Sequence, residues 1–446
     1  MVIKMQETIS DYRLQGLYRR KLRENPADAN LFKSQLYCGS KVLKFMGHKP
    51  AVYVLTNEID STFFGVTHCS NPWSCPVCSA KIMARQAAFI ADGLDMMKKR
   101  GQIAFMVTFT IPHNKSMSCA ETFEILQKTW AAFIQKGNKT EKIDYRGKEK
   151  RNVTITDVFS SFCVDTNCTR RIRVCEFTWG KNGWHPHYHC LFWVDSDKFD
   201  KASEWESRFI ERWENIAWRT LEKVCLKARK TPEEWQKTRR WVKLFRQHLN
   251  QKKSCVQFSR DKNGKLIVQK SSDYICGWGA DKELTGNYLK KASHRGHYTP
   301  HQILEMAFAA DKRGDHDKCE FWLNLYMEFV RTTRKKLRSK FSNGFKNEIV
   351  QYRLTEKTIT TETLKKKDTN SSAKWHVVCW FNEQQWCEIF LCLRQVNEQL
   401  LADILRRARH RDGKQQIEKL LLKYGIDIRN NGEHPDSMFI ENRILA

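Results

Sequence analysis

Trp184-His185-Pro186-His187-Tyr188-His189-Cys190-Leu191-Phe192 puts three imidazoles within five positions at the head of an apolar stretch. In an extended strand successive side chains alternate faces, so His187 and His189 project together and Tyr188 points the other way. The segment before it, Arg171-Ile172-Arg173-Val174-Cys175-Glu176-Phe177-Thr178-Trp179, alternates as a strand does, and Gly180-Lys181-Asn182-Gly183 supplies the residues of a tight turn. A hairpin symmetric about Lys181 and Asn182 places Glu176 opposite His187. Directly opposed Cβ atoms lie roughly 4.5–5.5 Å apart. One carboxylate and two imidazoles then make a divalent-cation site with open positions, and open positions point to catalysis. The competing reading is a half-buried strand whose histidines make ordinary hydrogen bonds.

His187-Tyr188-His189 resembles the His-hydrophobic-His signature of the HUH endonucleases. The longer Glu176-x3-Gly180-x2-Gly183-Trp184-His185-Pro186-His187-x-His189 is similar to that of bacterial rolling-circle plasmid replication initiators, the Rep proteins. Phe105-Met106-Val107-Thr108-Phe109-Thr110-Ile111-Pro112-His113 resembles the family's upstream strand motif. Cys69-x5-Cys75-Pro76-Val77-Cys78 resembles its N-terminal cysteine cluster. Asp273-Tyr274-Ile275-Cys276-Gly277-Trp278-Gly279, followed by Glu283-Leu284-Thr285, resembles the segment carrying the nucleophilic tyrosine. The resemblance runs from about Cys38 to Thr299-Pro300, and more faintly to Phe341–Lys346.

The resemblance implies an α+β fold: an antiparallel-sheet HUH core, ferredoxin-like or RNA-recognition-like, with an N-terminal zinc-binding unit and a mainly helical C-terminal region. The expected domains are 1–100 for the zinc unit, 101–300 for the endonuclease domain with a helical insertion at about 200–250, and 301–446 for the accessory region. It also implies a site- and strand-specific nickase and strand transferase. Such an enzyme forms a 5′-phosphotyrosine, frees a 3′-hydroxyl for rolling-circle replication and later rejoins the ends.

Glu176, His187 and His189 are then expected to hold Mg²⁺ or Mn²⁺, which withdraws charge from the scissile phosphate. His185 and His113 sit close enough in the motifs to contact the phosphate or the ligands. Tyr274 aligns with the family's nucleophile, but Gly277 stands where that family has lysine three residues on. Tyr288-Leu289-Lys290-Lys291 does carry a lysine there and stays a candidate. Glu283 is a candidate for activating water or a 3′-hydroxyl in the closing reaction, or is a surface carboxylate.

Cys75-x2-Cys78 supplies two thiolates at knuckle spacing and Cys69 a third; structural zinc takes four ligands. Cys38, in Tyr37-Cys38-Gly39-Ser40, is the choice for the fourth, with His68 as runner-up. A redox pair is the alternative. The chain has sixteen cysteines in all; Cys119, Cys163, Cys168, Cys175, Cys190, Cys225, Cys255, Cys319, Cys379, Cys387 and Cys392 share no metal spacing and read as small core residues.

Over 446 residues, 78 Lys and Arg against 50 Asp and Glu leave a net charge of +28. So large an excess calls for a polyanion, and nucleic acid is the default. Two stretches can carry that contact. One runs from Lys227 to Arg246 and includes Arg239, Arg240 and Lys243; the other is Arg331–Lys340, with Arg334, Lys335 and Lys336. Basic residues neutralise phosphates, and the aromatics of the first stretch can stack on unpaired bases. The alternative is a solvated face over core aromatics. Partners are thus single-stranded and duplex origin DNA, with a host helicase and polymerase possible. No apolar run approaches the roughly 20 residues of a spanning helix, so no membrane partner is expected and the setting reads as the bacterial cytoplasm. An HUH transposase or relaxase, or a catalytically silent DNA-binding regulator, are the alternative functions.

Along the chain we expect a helix at Tyr12–Arg23, another around Ala80–Leu94, and a strand at Gln102–Ile111. A helix at Ala120–Phe133, a charged loop at Gly137–Arg151 and a strand near Val153–Val158 follow. Helix continues over about Lys201–Asn250, with strands at Cys255–Phe258 and Leu266–Gln269. Lys365–Ser372 reads as a solvated linker.

Overall fold

The turn at Gly180–Gly183 closes as the sequence requires. In the computed structural model Gly180 pairs with Gly183, and the register runs without slippage through Glu176↔His187 to Arg170↔Trp193. Gly183 adopts φ +83°, and a Cβ there would lie 2.9 Å from the Cα of Lys115, so both conformation and space demand glycine. The structure describes residues 8–44, 49–57, 61–135, 139–145, 148–155, 158–227, 231–249, 254–268, 296–364 and 376–431.

Among the described residues the strands are β1 (Ala51–Thr56), β2 (Ser61–Phe64), β3 (Gln102–Phe109), β4 (Lys139–Tyr145), β5 (Lys148–Ile155), β6 (Arg170–Gly180), β7 (Gly183–Asp195), β8 (Val256–Phe258), β9 (Ser339–Phe341) and β10 (His376–Asn382). The fold is α+β with antiparallel sheets, as expected. The chain forms two compact units, each discontinuous in sequence: 1–84 with 303–326 and 364–446, and 85–302 with 327–363. The sequence reading cut the chain at about 100 and 300. Strand pairing groups it otherwise, because β10 closes onto β1 and β9 onto β6.

In the second unit the strand order is β8-β3-β7-β6-β9. Directly paired residues share a face, so Thr108, Glu176, His187 and His189 lie on one side, in line with Met106, Val174, Ile172, Leu191 and Trp193. That apolar part is covered by Ile90, Leu94 and Met97 of helix Pro76–Lys99 and by Phe345 and Ile349 of helix Phe345–Leu364. The opposite face carries Phe105, Phe109, Tyr188 and Phe192. Against it pack Trp130 and Phe133 of helix Cys119–Phe133, Phe162 of helix Val158–Asp165, and Phe209 and Trp213 of helix Glu206–Lys227. Offset and edge-on aromatic pairs of this kind contribute about 0.5–1.5 kcal/mol each beyond their buried area. The sheet is thus braced on both sides, with its polar residues gathered toward the hairpin end.

Helix Cys119–Phe133 begins in a capping box, Ser118 with Glu121. The carboxylate of Glu328 accepts from the Cys119 amide at 2.7 Å and from the Trp184 indole at 2.9 Å. One side chain therefore ties that helix start to the entry of β7.

The first unit holds the sheet β10-β1-β2. Val52 and Val54 face a core with Phe381, Trp386, Leu401, Ile404 and Ile417, whereas Tyr53 and Leu55 pack with Phe64 and Trp380 on the other side. Burial on both faces explains the unbroken Ala51-Val52-Tyr53-Val54-Leu55 run. Strands β9 and β10 were not expected in the mainly helical C-terminal region; after β10 the described helices are Glu383–Gln395, Leu400–Ala408 and Gly413–Leu422.

Three further differences stand out. The stretch expected as a charged loop pairs as the hairpin β4–β5, and helix Val158–Asp165 starts where a strand was expected to end. Cys387 is exposed rather than a core residue. The Lys365–Ser372 linker lies outside the described residues.

Candidate metal centres

Glu176 sits on β6, buried to 3% exposure, with His187 and His189 beside it on β7 at 8% and 7%. Its Oε2 lies 3.3 Å from Nε2 of His187 and 3.1 Å from Nε2 of His189. Burial opposes ionisation of this carboxyl, but the imidazoles of His189 and His187 outweigh it and hold it well below the usual carboxylate range. Among the described residues the remaining oxygen, Oε1, is buried without a hydrogen-bond partner. An orphaned anionic oxygen beside two converging imidazole nitrogens is a donor set that suits a small divalent ion. Cis ligands at metal distances of about 2.1 Å are separated by about 3 Å, close to the spacings seen.

The outer contacts orient these ligands. Nδ1 of His187 donates to the carbonyl of His185 at 3.3 Å, and Nδ1 of His189 lies 3.0 Å from the Thr108 hydroxyl. With Nδ1 engaged in both rings, Nε2 is the nitrogen that each turns toward Glu176. Thr108 is opposite His189 on β3. Its role was not read from the sequence, although it stands in the quoted motif. The only available signal was its place in the strand motif that runs into His113.

His113 stacks on His185, centroids 4.7 Å apart and planes 8° from parallel, and its Nδ1 donates to the Ile111 carbonyl at 3.1 Å. Burial first, and then neighbouring imidazoles, push both rings below the ordinary histidine value. They stay neutral near pH 7.

The second cluster lies in the other unit. The sulfurs of Cys38 and Cys78 are 3.4 Å apart, those of Cys69 and Cys78 3.6 Å, and those of Cys75 and Cys38 3.7 Å. A tetrahedron with Zn–S bonds of about 2.3 Å has edges of about 3.8 Å, so the four sulfurs fit a structural zinc. Cys38, the choice for the fourth position, joins the group. Hydrogen bonds from Cys69, Cys75 and Cys78 drive the Cys38 thiol far down, and the bond to Cys38 drives Cys69 and Cys75 up. His68 lies beside Lys81, Nε2 to Nζ 3.4 Å.

Tyr274, Tyr288 and Glu283 fall outside the described residues. Arg239, Arg240 and Lys243 are exposed on helix Pro232–Leu249, with Arg239 3.4 Å from Glu222. The neighbouring Trp241 and Phe245 stack on each other, and Phe245 packs against Trp218, so these aromatics support the helix. Arg334, Lys335 and Lys336 are exposed after helix His316–Thr333. Arg338 in the same basic run is buried instead; its carbonyl accepts from the Cys175 amide at 2.8 Å.

Comparison with known proteins finds two partial relatives. A Streptomyces lividans protein named "Protein rep" is 28% identical over 150 residues, covering 30% of this chain and 31% of that protein. The chain resembles a Rep protein. A Streptomyces cyanogenus protein named "Neomycin resistance protein" is 27% identical over 194 residues, covering 38% of this chain and 41% of that one. The chain thus spans well under half the length of the curated relatives it matches. No family model matches the chain, and no solved structure matches it. Among the described residues no helix is long and apolar enough to cross a membrane.

Proposed function

We propose that this protein initiates rolling-circle replication of a plasmid by nicking one strand of origin DNA, and that its five-stranded sheet is an HUH endonuclease core. The observation that carries the reading is the convergence of Glu176 Oε2 on Nε2 of His187 and His189 toward the hairpin end of an antiparallel sheet. The partial likeness to a protein named Rep favours replication over transposition.

A Mg²⁺ or Mn²⁺ ion held by Glu176, His187 and His189 would supply, when bound, positive charge to the non-bridging phosphate oxygens. Thr108 and the His185 carbonyl hold the two ligand rings so that Nε2 faces Glu176. Tyr274, or Tyr288, attacks the phosphorus in line; its Oη–P bond forms as the bond to the 3′-oxygen breaks, giving a 5′-phosphotyrosine and a 3′-hydroxyl. A phenol of pKa about 10 must lose its proton as it attacks. Glu283 then serves the reverse, closing step. Arg239, Arg240, Lys243, Arg334, Lys335 and Lys336 bind single-stranded and duplex DNA through phosphates, in the cytoplasm, where a host helicase and polymerase extend the freed end. Cys38, Cys69, Cys75 and Cys78 hold a structural zinc that braces their own unit.

A nicking assay on single-stranded DNA spanning the region around the gene tests this. Metal-dependent cleavage at one site in one strand is expected. Failure to cut either strand in Mg²⁺ or Mn²⁺ would leave a binding protein without nuclease activity and overturn the proposal.

A further inference from the structure

Helix Thr8–Glu24 sends two polar side chains, one turn apart, into the interior beside the cysteines. Gln15 is 1% exposed and its Nε2 donates to the Sγ of Cys75 at 3.2 Å. Arg19 is 2% exposed, donates through its guanidinium to the carbonyl of Cys38, and lies 5.0 Å over the ring of Phe390. Among the described residues no carboxylate pairs with this guanidinium, and a buried cation is costly unless a negative charge is near.

A divalent ion on four thiolates leaves two negative charges in a buried place. We propose that Gln15 and Arg19 are the outer shell of this cluster, with Arg19 as its counter-charge, so that helix Thr8–Glu24 and the bound metal stabilise each other. The inference rests on the zinc reading given above. The two residues differ in kind: Gln15 contributes an N–H to a sulfur, whereas Arg19 holds the backbone of the ligand Cys38 and offsets the charge of the whole group.

The test is a competition for zinc between the purified full-length protein and a chromogenic chelator. Outer-shell partners typically change metal affinity by about 10–100-fold. Arg19→Met, which keeps the stem and removes the charge, should weaken zinc binding by about that factor. Arg19→Lys should restore part of it. Gln15→Met, similar in volume, should weaken it less and decides the matter if Arg19→Met does not fold. A second readout is trypsin cleavage at Arg13, Arg19 and Arg23, which should accelerate when the wild-type protein is stripped of zinc. Zinc held equally tightly by folded Arg19→Met and Gln15→Met, or a helix as protected without zinc as with it, would overturn the inference. A wild-type protein that binds no zinc would instead refute the zinc reading itself, and the outer shell with it.

Discussion

The hydroxyl of Thr108 on β3 lies 3.0 Å from Nδ1 of His189 on β7, so the strand next to the hairpin determines which nitrogen of a candidate ligand faces Glu176. Thr108→Val keeps the branched shape and removes the hydroxyl. Mn²⁺ affinity, followed by calorimetry, should fall about 10-fold or more, with an unchanged circular dichroism spectrum. Equal affinity would mean that the contact does not orient the ring.

Substituting Cys75 or Cys78 by serine should release the metal and loosen the first unit. The wild-type protein should carry about one zinc per chain by elemental analysis. Each serine variant should carry none and unfold at lower denaturant concentration.

Glu348 joins Arg170, at 2.5 Å, and Arg100, at 2.7 Å, on the second unit. Burial raises its proton affinity, but the two guanidiniums prevail and hold its carboxyl below the usual range. A carboxyl depressed in the folded state stabilises above its unfolded value of about 4.3, and that contribution disappears as pH falls through the folded value. Glu348→Gln should therefore cost about 1 kcal/mol or less at pH 7 after solvent screening. Urea titrations should show the gap between variant and wild type closing as pH drops below about 4.3. A gap that widens in acid would contradict the pairing.

Trp213 is fully buried, its ring 4.8 Å from Phe109 and its indole donating to the Thr110 carbonyl at 2.6 Å. Trp213→Ala should cost about 3–5 kcal/mol, read as a shift in the denaturation midpoint. A loss under 1 kcal/mol would mean that the aromatic layer can close over the gap.

What was legible in the sequence was local. The four-residue turn set the hairpin register, and the register set Glu176 against His187. Strict alternation did the rest. The pairing Ala51↔Asn382 was not legible, because each strand is apolar on its own and nothing in either names its partner across so long a separation. Strand β4 and the first half of β5 were hidden for the opposite reason: Lys139-Thr140-Glu141-Lys142 and Lys148-Glu149-Lys150-Arg151 are polar at every position, so no period of two shows there. Basic runs were equally blind to burial. Lys335 and Lys336 are exposed while Arg338, two residues on, is inside. Gln15 and Arg19 lay in a helix that read simply as basic, and only packing brings them to the cysteines.

The most direct test is to trap the covalent adduct. Wild-type protein incubated with Mn²⁺ and single-stranded origin DNA should yield a tryptic peptide carrying nucleotide on Tyr274 or Tyr288. The adduct should be lost in the His187→Ala, His189→Ala double variant, which should retain most duplex affinity because binding rests on many phosphate contacts. Adduct formed equally by the double variant, or DNA cut with no tyrosine-linked product, would contradict the account.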